Sequence, residues 1–378
     1  MILDRERIRE FDDISIKRNG SLSKLSDVVS KAKIADDYYL FVGLGGLGME
    51  TLAKLKSQMQ RTFEIPKDRE LPENIRLLAI DSDRHEIHAY SCGRDDKDLN
   101  EFTETFNLYE NNMRIEFVLR NFPSEIIEWM DKDLCNHYIP TNEGCGAFRQ
   151  IGRYMFFKQY SSLKKVIADK ISSLVSLKRP DAKLNIYIIS GLGGGTGSGI
   201  IIDIAYLIHS IVQQQNIDST LTGCLFMPDI QYANWNDQYI CNNLKRNCYA
   251  ALMEIDNFID TANFSSNYGS VEVNLQRPVF DRCLLLSAAN EHDGQSVKDI
   301  KSKTQQTLNN FYIAALSTTE QGMSIESFLE NLGSAVKVSV EDMNGVSSHT
   351  HFKIKEYEKI YEDSTKHGDY VGLHLNFK

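Results

Sequence analysis

Nine residues, Gly191-Leu-Gly-Gly-Gly-Thr-Gly-Ser-Gly199, restrict the fold more than any other stretch of the chain. The apolar run 184–190 before them reads as a buried strand, and the apolar run 200–212 after them reads as a buried helix. Six glycines in nine residues let the backbone come close to a ligand and adopt conformations that a Cβ forbids. The helix start behind them offers unpaired N–H groups and a positive dipole end, which together favour phosphate. Thr196 and Ser198 add hydroxyl donors. A glycine-rich turn without a ligand is the plainer alternative, but such a turn does not need this density of glycine immediately before a helix.

The same grammar occurs upstream. Residues 38–42 read as a strand, Gly43-Leu-Gly-Gly-Leu-Gly48 as a tight loop, and residues 49–60 as a helix with Met49, Leu52, Ala53, Leu55 and Met59 at helical spacing. Strand, glycine loop and helix in that order form a phosphate-cradling unit, although this loop alone serves several unrelated folds. Residues 75–80 form the next strand and end in Asp81-Ser-Asp83. Carboxylates at such a position meet a ribose hydroxyl or a hydrated metal, or merely close a solvated turn. Residues 84–140 carry weak signals, with a helix over 121–137 that turns Ile126, Ile127, Trp129 and Met130 inward. A third cluster, Gly144-Cys-Gly-Ala-Phe-Arg-Gln-Ile-Gly-Arg153, opens a long helix to about residue 178; its arginines touch phosphate or cover the surface.

Beyond the nine-residue loop, residues 220–227 read as a strand ending at Pro228-Asp229, and residues 238–260 as a helix with Leu244, Ala251, Leu252, Ile255 and Phe258 inward. Residues 279–287 form a further strand and residues 297–317 a long helix. This alternation implies an α/β fold with a mostly parallel, Rossmann-like sheet covered by helices on both faces. Ligands of such sheets bind at the carboxyl ends of the strands, where the three glycine loops converge. Three phosphate-friendly loops on one rim imply a polyphosphate nucleotide.

Net charge narrows the partners. A balance of −10 speaks against nucleic acid, which requires a basic surface. Seven scattered cysteines without a C-x-x-C pair suggest reduced thiols in a cytoplasm. Asp4, Arg5, Glu6 and Arg7 stand where a signal peptide needs an apolar core, and no apolar run reaches membrane-spanning length. No metal-ligand set is assigned: His349 and His351 lack a third partner. Cys241 and Cys248 are expected in the core, and Trp129 and Trp235 in packing or an interface.

Residues 193–199 resemble the signature loop of the tubulin and FtsZ family. The resemblance continues in the family's order: Gly43 to Gly48 matches its first glycine loop, Asp81-Ser-Asp83 its Asn-Thr-Asp-like segment, and Gly144 to Arg153 the bacterial Gly-Ala-Gly-Ala-x-x-x-x-Gly-Arg loop. Asn247 resembles the helix asparagine that tubulins place on sugar and base. Asn290-Glu291 resembles the pair before the tubulin central helix, which makes 297–317 that helix. Phe280-Asp-Arg-Cys283 looks like a poorly characterised bacterial tubulin-like branch.

The resemblance implies GTP and GDP as ligands with Mg2+, bound by Gly45, Gly46, Leu47, Gly48, Asp81, Asp83, Gly146, Ala147, Gly193, Gly194, Gly195, Thr196, Gly197, Ser198, Asn247 and Asn290. It further implies hydrolysis at a head-to-tail contact between copies of the chain, giving a homopolymer. The family's acidic loop corresponds to 322–330, where Ser324 replaces an asparagine and Glu326 and Glu330 are the catalytic candidates. Two carboxylates there polarise water or form a charged helix face.

Four segments follow: an extension over 1–36, a GTP-binding domain over 37–296, the central helix over 297–317 and a reduced or truncated α+β domain over 318–378. Other readings remain. A non-polymerising GTP switch acting on an unidentified protein partner keeps every loop. An adenylating enzyme of the ubiquitin-activating type uses Gly43 to Gly48 and Asp83, with Cys92, Cys135 or Cys145 as nucleophile. A dinucleotide dehydrogenase has only Gly43 to Gly48 in its favour.

Overall fold

The computed structural model describes residues 2–3, 15–18, 21–24, 33–34, 36–66, 69–91, 99–109, 126, 129–131, 144–179, 181–230, 238–286, 317–318, 359–360 and 362. Its centre is a seven-stranded sheet. The strands are β1 (Ile2–Leu3), β2 (Tyr38–Leu44), β3 (Ile75–Asp81), β4 (Thr105–Asn107), β5 (Leu184–Gly191), β6 (Ser219–Phe226) and, after a hairpin of β7 (Phe264–Asn267) and β8 (Glu272–Leu275), β9 (Arg282–Leu286). The order across the sheet is β1-β9-β6-β5-β2-β3-β4, and every pairing is parallel. From β2 the chain winds outward through β3 to β4; from β5 it winds the other way through β6 to β9. The direction reverses between β2 and β5, which makes their carboxyl ends the switch point of the sheet.

Strand β2 shows how the layers form. Tyr38, Leu40, Val42 and Leu44 join a core with helices α3 (Arg149–Val175), α4 (Thr196–Gln214) and α5 (Gln238–Asp260). Tyr39 and Phe41 point the other way, into a second core with Leu47, Met49, Leu52 and Leu55 of helix α1 (Gly45–Thr62). Period-two alternation with both faces apolar requires helices on both sides. Helix α4 is buried throughout from Thr196 to Val212. Its six isoleucines each contribute about 1.5–3 kcal/mol by leaving water. It is also the one helix among the described residues long and apolar enough to cross a bilayer, a length the sequence reading did not assign; here it is a core helix.

Two helix starts differ from expectation. Strand β2 runs on to Leu44 and α1 begins at Gly45, so Gly45 to Gly48 form a first helical turn; likewise α4 begins at Thr196. The reason is close packing of main chain on main chain. A Cβ on Gly48 would stand 2.4 Å from the Ile189 carbonyl oxygen, and one on Gly199 would stand 2.4 Å from that of Arg149. Within 84–140, helix α2 (Arg84–Ser91) and β4 emerge, and Ile126 and Met130 are buried as expected. The remainder of the expected helix over 121–137 lies outside the described residues. So do the central helix over 297–316 and nearly all of 318–378; residues 317–318 pair antiparallel with 33–34.

Candidate functional site

At the switch point the N-termini of α1 and α4 meet. A Cβ on Gly45, whose φ is +68°, would lie 3.0 Å from the Gly197 backbone nitrogen. Between the two turns is an open cleft of about 90 Å³ walled by Leu44, Gly45, Gly46, Leu47, Gly191, Gly194, Gly195, Thr196 and Gly197. Among the described residues its walls carry no basic side chain. Neither helix has a side chain capping its first turn: Leu44 and Gly195 occupy the cap positions and make no such bond. First-turn N–H groups, which have no partner within their own helix, and two positive helix ends therefore supply the polarity of the cleft, a combination suited to an anion. Gly194 has nothing within 4 Å of a would-be Cβ, so its main chain is open to a ligand.

The third loop packs behind the signature turn. Cys145, Gly146, Ala147 and Phe148 form a tight turn closed by Phe148 N–H donating to the Cys145 carbonyl at 2.9 Å. Gly146 and Ala147 both have positive φ, 54° and 64°, and for alanine this left-handed position costs about 1–2 kcal/mol. A Cβ on Gly195 would stand 2.7 Å from Cys145 Cβ and 2.9 Å from Phe148 N. Helix α5 locks the arrangement: Asn247 Nδ2 donates to the Ala147 carbonyl at 2.7 Å and to the Gly193 carbonyl at 2.8 Å. Its Oδ1 is buried without a hydrogen-bond partner among the described residues.

The carboxylates take different roles. Asp81 is buried at the end of β3; its Oδ1 accepts from Ser82 N–H at 2.7 Å and Asp83 N–H at 3.4 Å. Its Oδ2 stands 3.8 Å from a would-be Cβ on Gly46. Burial raises its carboxyl to about 7, and Asp83 and Glu86 push the same way against the two N–H bonds. Asp83 Oδ1 instead accepts from the N–H groups of His85 and Glu86, capping α2. Among the described residues no group of three or more His, Cys, Asp or Glu side chains converges on a metal position.

The arginines of the third loop turn inward. Arg149 donates to both carboxylate oxygens of Glu254, at 3.1 and 2.6 Å, and to Ser198 Oγ at 2.9 Å. Ser198 thus faces Arg149 rather than the cleft. Arg153 pairs with Asp203 and stacks on Trp129, 4.6 Å from the ring centroid; Tyr268 also donates to Asp203.

Sequence reasoning passed over Ser82. It is fully buried, its Oγ 2.7 Å from Thr196 Oγ1 and 3.1 Å from Cys145 Sγ. A serine between two aspartates reads as turn filler, and no pattern distinguishes it. Burial pushes the Cys145 thiol up to about 11, which makes it a poor nucleophile for the adenylating alternative; Cys241 and Cys248 are buried in the core. Cys92, Cys135, Trp235, Asn290, Glu291, Glu326, Glu330, His349 and His351 lie outside the described residues.

The sequence profile of the family described as "Tubulin like" matches residues 40–360. No curated protein sequence matches. Among solved structures, TubZ of Clostridium botulinum phage c-st, truncated at its C-terminal tail, is 13% identical with a TM-score of 0.46, covering 87% of this chain and 98% of that one. CetZ2 from Haloferax volcanii, in a GTPγS-bound protofilament, is 14% identical with a TM-score of 0.42 over 74% of this chain. FtsZ from M. jannaschii is 14% identical with a TM-score of 0.39, covering 76% of this chain and 56% of that one. The chain spans 58% of the length of CetZ2. Four glycine and acid motifs in family order, two of them walling one switch-point cleft and the other two packed against those walls, agree with the profile over most of the sequence: the chain belongs to the tubulin-like family.

Proposed function

We propose that this chain binds GTP and GDP in the switch-point cleft and hydrolyses GTP at a head-to-tail contact with a second copy, forming protofilaments in the cytoplasm. The observation that carries the reading is the meeting of two uncapped helix N-termini on a cleft walled by glycine main chain. Such walls offer N–H donors to a chain of phosphates and leave no room for side-chain competition. Gly45, Gly46, Leu47 and residues 194–197 hold the phosphates, while Gly48, Gly193, Gly146, Ala147 and Ser198 shape the turns that do so. Asn247 spends its amide hydrogens on two carbonyls, so its free Oδ1 accepts from an N–H or O–H of the nucleoside. Asp81 and Asp83 line the approach from β3, and Asn290 completes the nucleoside side.

With no cluster of metal-ligating side chains among the described residues, any Mg2+ would be held through the nucleotide's phosphates and water, where it would neutralise phosphate charge. Glu326 and Glu330 of one subunit orient the attacking water in the next. The domain division at 37–296, 297–317 and 318–378 and the place in the bacterial tubulin-like branch belong to the same proposal.

Nucleotide exchange measured with GTP against ATP tests the reading. GTP should bind, and Thr196→Ala should weaken it at least tenfold, the scale of a lost charge-assisted bond of about 1.5–3 kcal/mol. Preference for ATP, or an unchanged GTP affinity in the variant, overturns it.

A further inference from the structure

Ser82, Cys145 and Thr196 come from three separate motifs and meet as a closed triangle: Ser82 Oγ to Thr196 Oγ1 at 2.7 Å, Ser82 Oγ to Cys145 Sγ at 3.1 Å, and Thr196 Oγ1 to Cys145 Sγ at 3.5 Å. Each group owns one hydrogen and can also accept one. Thr196 donates to Cys145, so the arrangement that uses all three hydrogens within the triangle runs Thr196 to Cys145 to Ser82 and back to Thr196. Among the described residues the thiol can otherwise donate to Met155 Sδ at 3.9 Å, a longer contact than its 3.1 Å to Ser82 Oγ. Of the three, Thr196 alone lines the cleft; Ser82 is fully buried and Cys145 nearly so.

We propose that this triangle is a donor relay that opens when a phosphate enters: Thr196 swings its hydrogen to the anion, Ser82 donates to the Thr196 oxygen, and Cys145 donates to Ser82. No proton leaves its own heavy atom. Three hydrogens that satisfy one another in the free protein become one chain aimed at the ligand, and each bond in such a chain polarises the next. The relay needs a protonated thiol at its head. Burial keeps Cys145 in that form, with its pKa near 11; a thiolate would reverse the chain and place negative charge beside the phosphate. Ser82 and Cys145 are thus positioning residues for Thr196.

The inference rests on the proposed phosphate site and is tested with ligands that separate phosphate from nucleoside. Binding of GTP, tripolyphosphate and guanosine is measured for the full chain by competition and calorimetry, with thermal unfolding as a check on folding. Ser82→Ala should weaken GTP and tripolyphosphate about tenfold and leave guanosine unchanged. Cys145→Ala should weaken them about threefold, and Cys145→Ser, which keeps a donor, should recover most of that loss. In a Thr196→Ala background the Ser82→Ala change should have no further effect on either phosphate ligand.

Equal loss of guanosine and GTP binding in Ser82→Ala makes Ser82 a packing residue and overturns the relay, as does an undiminished effect without Thr196. Wild-type binding of tripolyphosphate with the expected losses, but without GTP preference, leaves the relay standing and removes the guanine reading. No binding of any phosphate ligand by the wild type removes both.

Discussion

Asp81 combines full burial with a carboxyl that holds its proton up to about pH 7. Two backbone N–H groups favour its charged form, yet desolvation outweighs them because only Oδ1 is served and Asp83 and Glu86 add negative charge nearby. An unfolded aspartate loses its proton near pH 4. Between about pH 4 and pH 7 the native state therefore binds more protons than the unfolded chain. Stability from this residue falls as pH rises through that window and stays at its lowest above it. Asp81→Asn keeps Oδ1 as an acceptor and removes the titration. The variant should exceed wild type in stability at pH 8 by on the order of 1–4 kcal/mol, with the gap closing near pH 4. Urea unfolding at the two pH values measures it; a gap of the same size at both would assign the shift to packing.

At the scale of elements, the two helix starts at the switch point divide glycine into two duties, and substitution separates them. Alanine at Gly48 puts a methyl 2.4 Å from the Ile189 carbonyl oxygen, a clash of backbone with backbone that nothing flexible can relieve. Alanine at Gly194 meets nothing within 4 Å. Gly48→Ala should therefore lose several kcal/mol of stability or fail to fold. Gly194→Ala should unfold within about 1 kcal/mol of wild type yet bind GTP at least tenfold more weakly, since its methyl enters the cleft. Thermal unfolding beside a GTP titration reads both effects, and a Gly194→Ala protein with full affinity would place the phosphates elsewhere.

The same division explains what the sequence made legible. Glycine density beside apolar runs marked the turns that wall the candidate cleft, because both duties select glycine in the same places. It could not tell Gly194, open on the cleft, from Gly48, packed against Ile189, since that depends on which strand lies opposite. The arginines of the third loop were open in the sequence between touching phosphate and covering the surface, whereas Glu254, 105 residues from Arg149 along the chain, draws the guanidinium inward. Removing one partner of such a buried pair costs about 3–5 kcal/mol. Strand β4, three residues long, and the β7-β8 hairpin carry too few residues for periodicity to register.

For the whole molecule, the decisive question is whether one copy completes the site of the next. A head-to-tail contact joins two different surfaces, so each subunit offers its cleft on one side and its acidic segment on the other. Two defective chains should then rescue each other. Thr196→Ala, at a GTP concentration below its weakened affinity, leaves most of its clefts empty but retains Glu326; Glu326→Ala binds GTP but lacks the acid. Alone, each should hydrolyse GTP far below wild type. Mixed in equal amounts and assembled at random, about one junction in four sets a competent cleft against a competent acid. Turnover should therefore recover to roughly a quarter of the wild-type rate. It should also fall away on dilution, because the contact itself is lost, and rise with moderate salt, which screens repulsion between subunits of charge −10. Phosphate release, followed alongside sedimentation of both chains, reports the outcome. Co-sedimentation without any recovery would mean that Glu326 acts within its own subunit or not at all, and the interfacial mechanism would be lost even if the filaments remained.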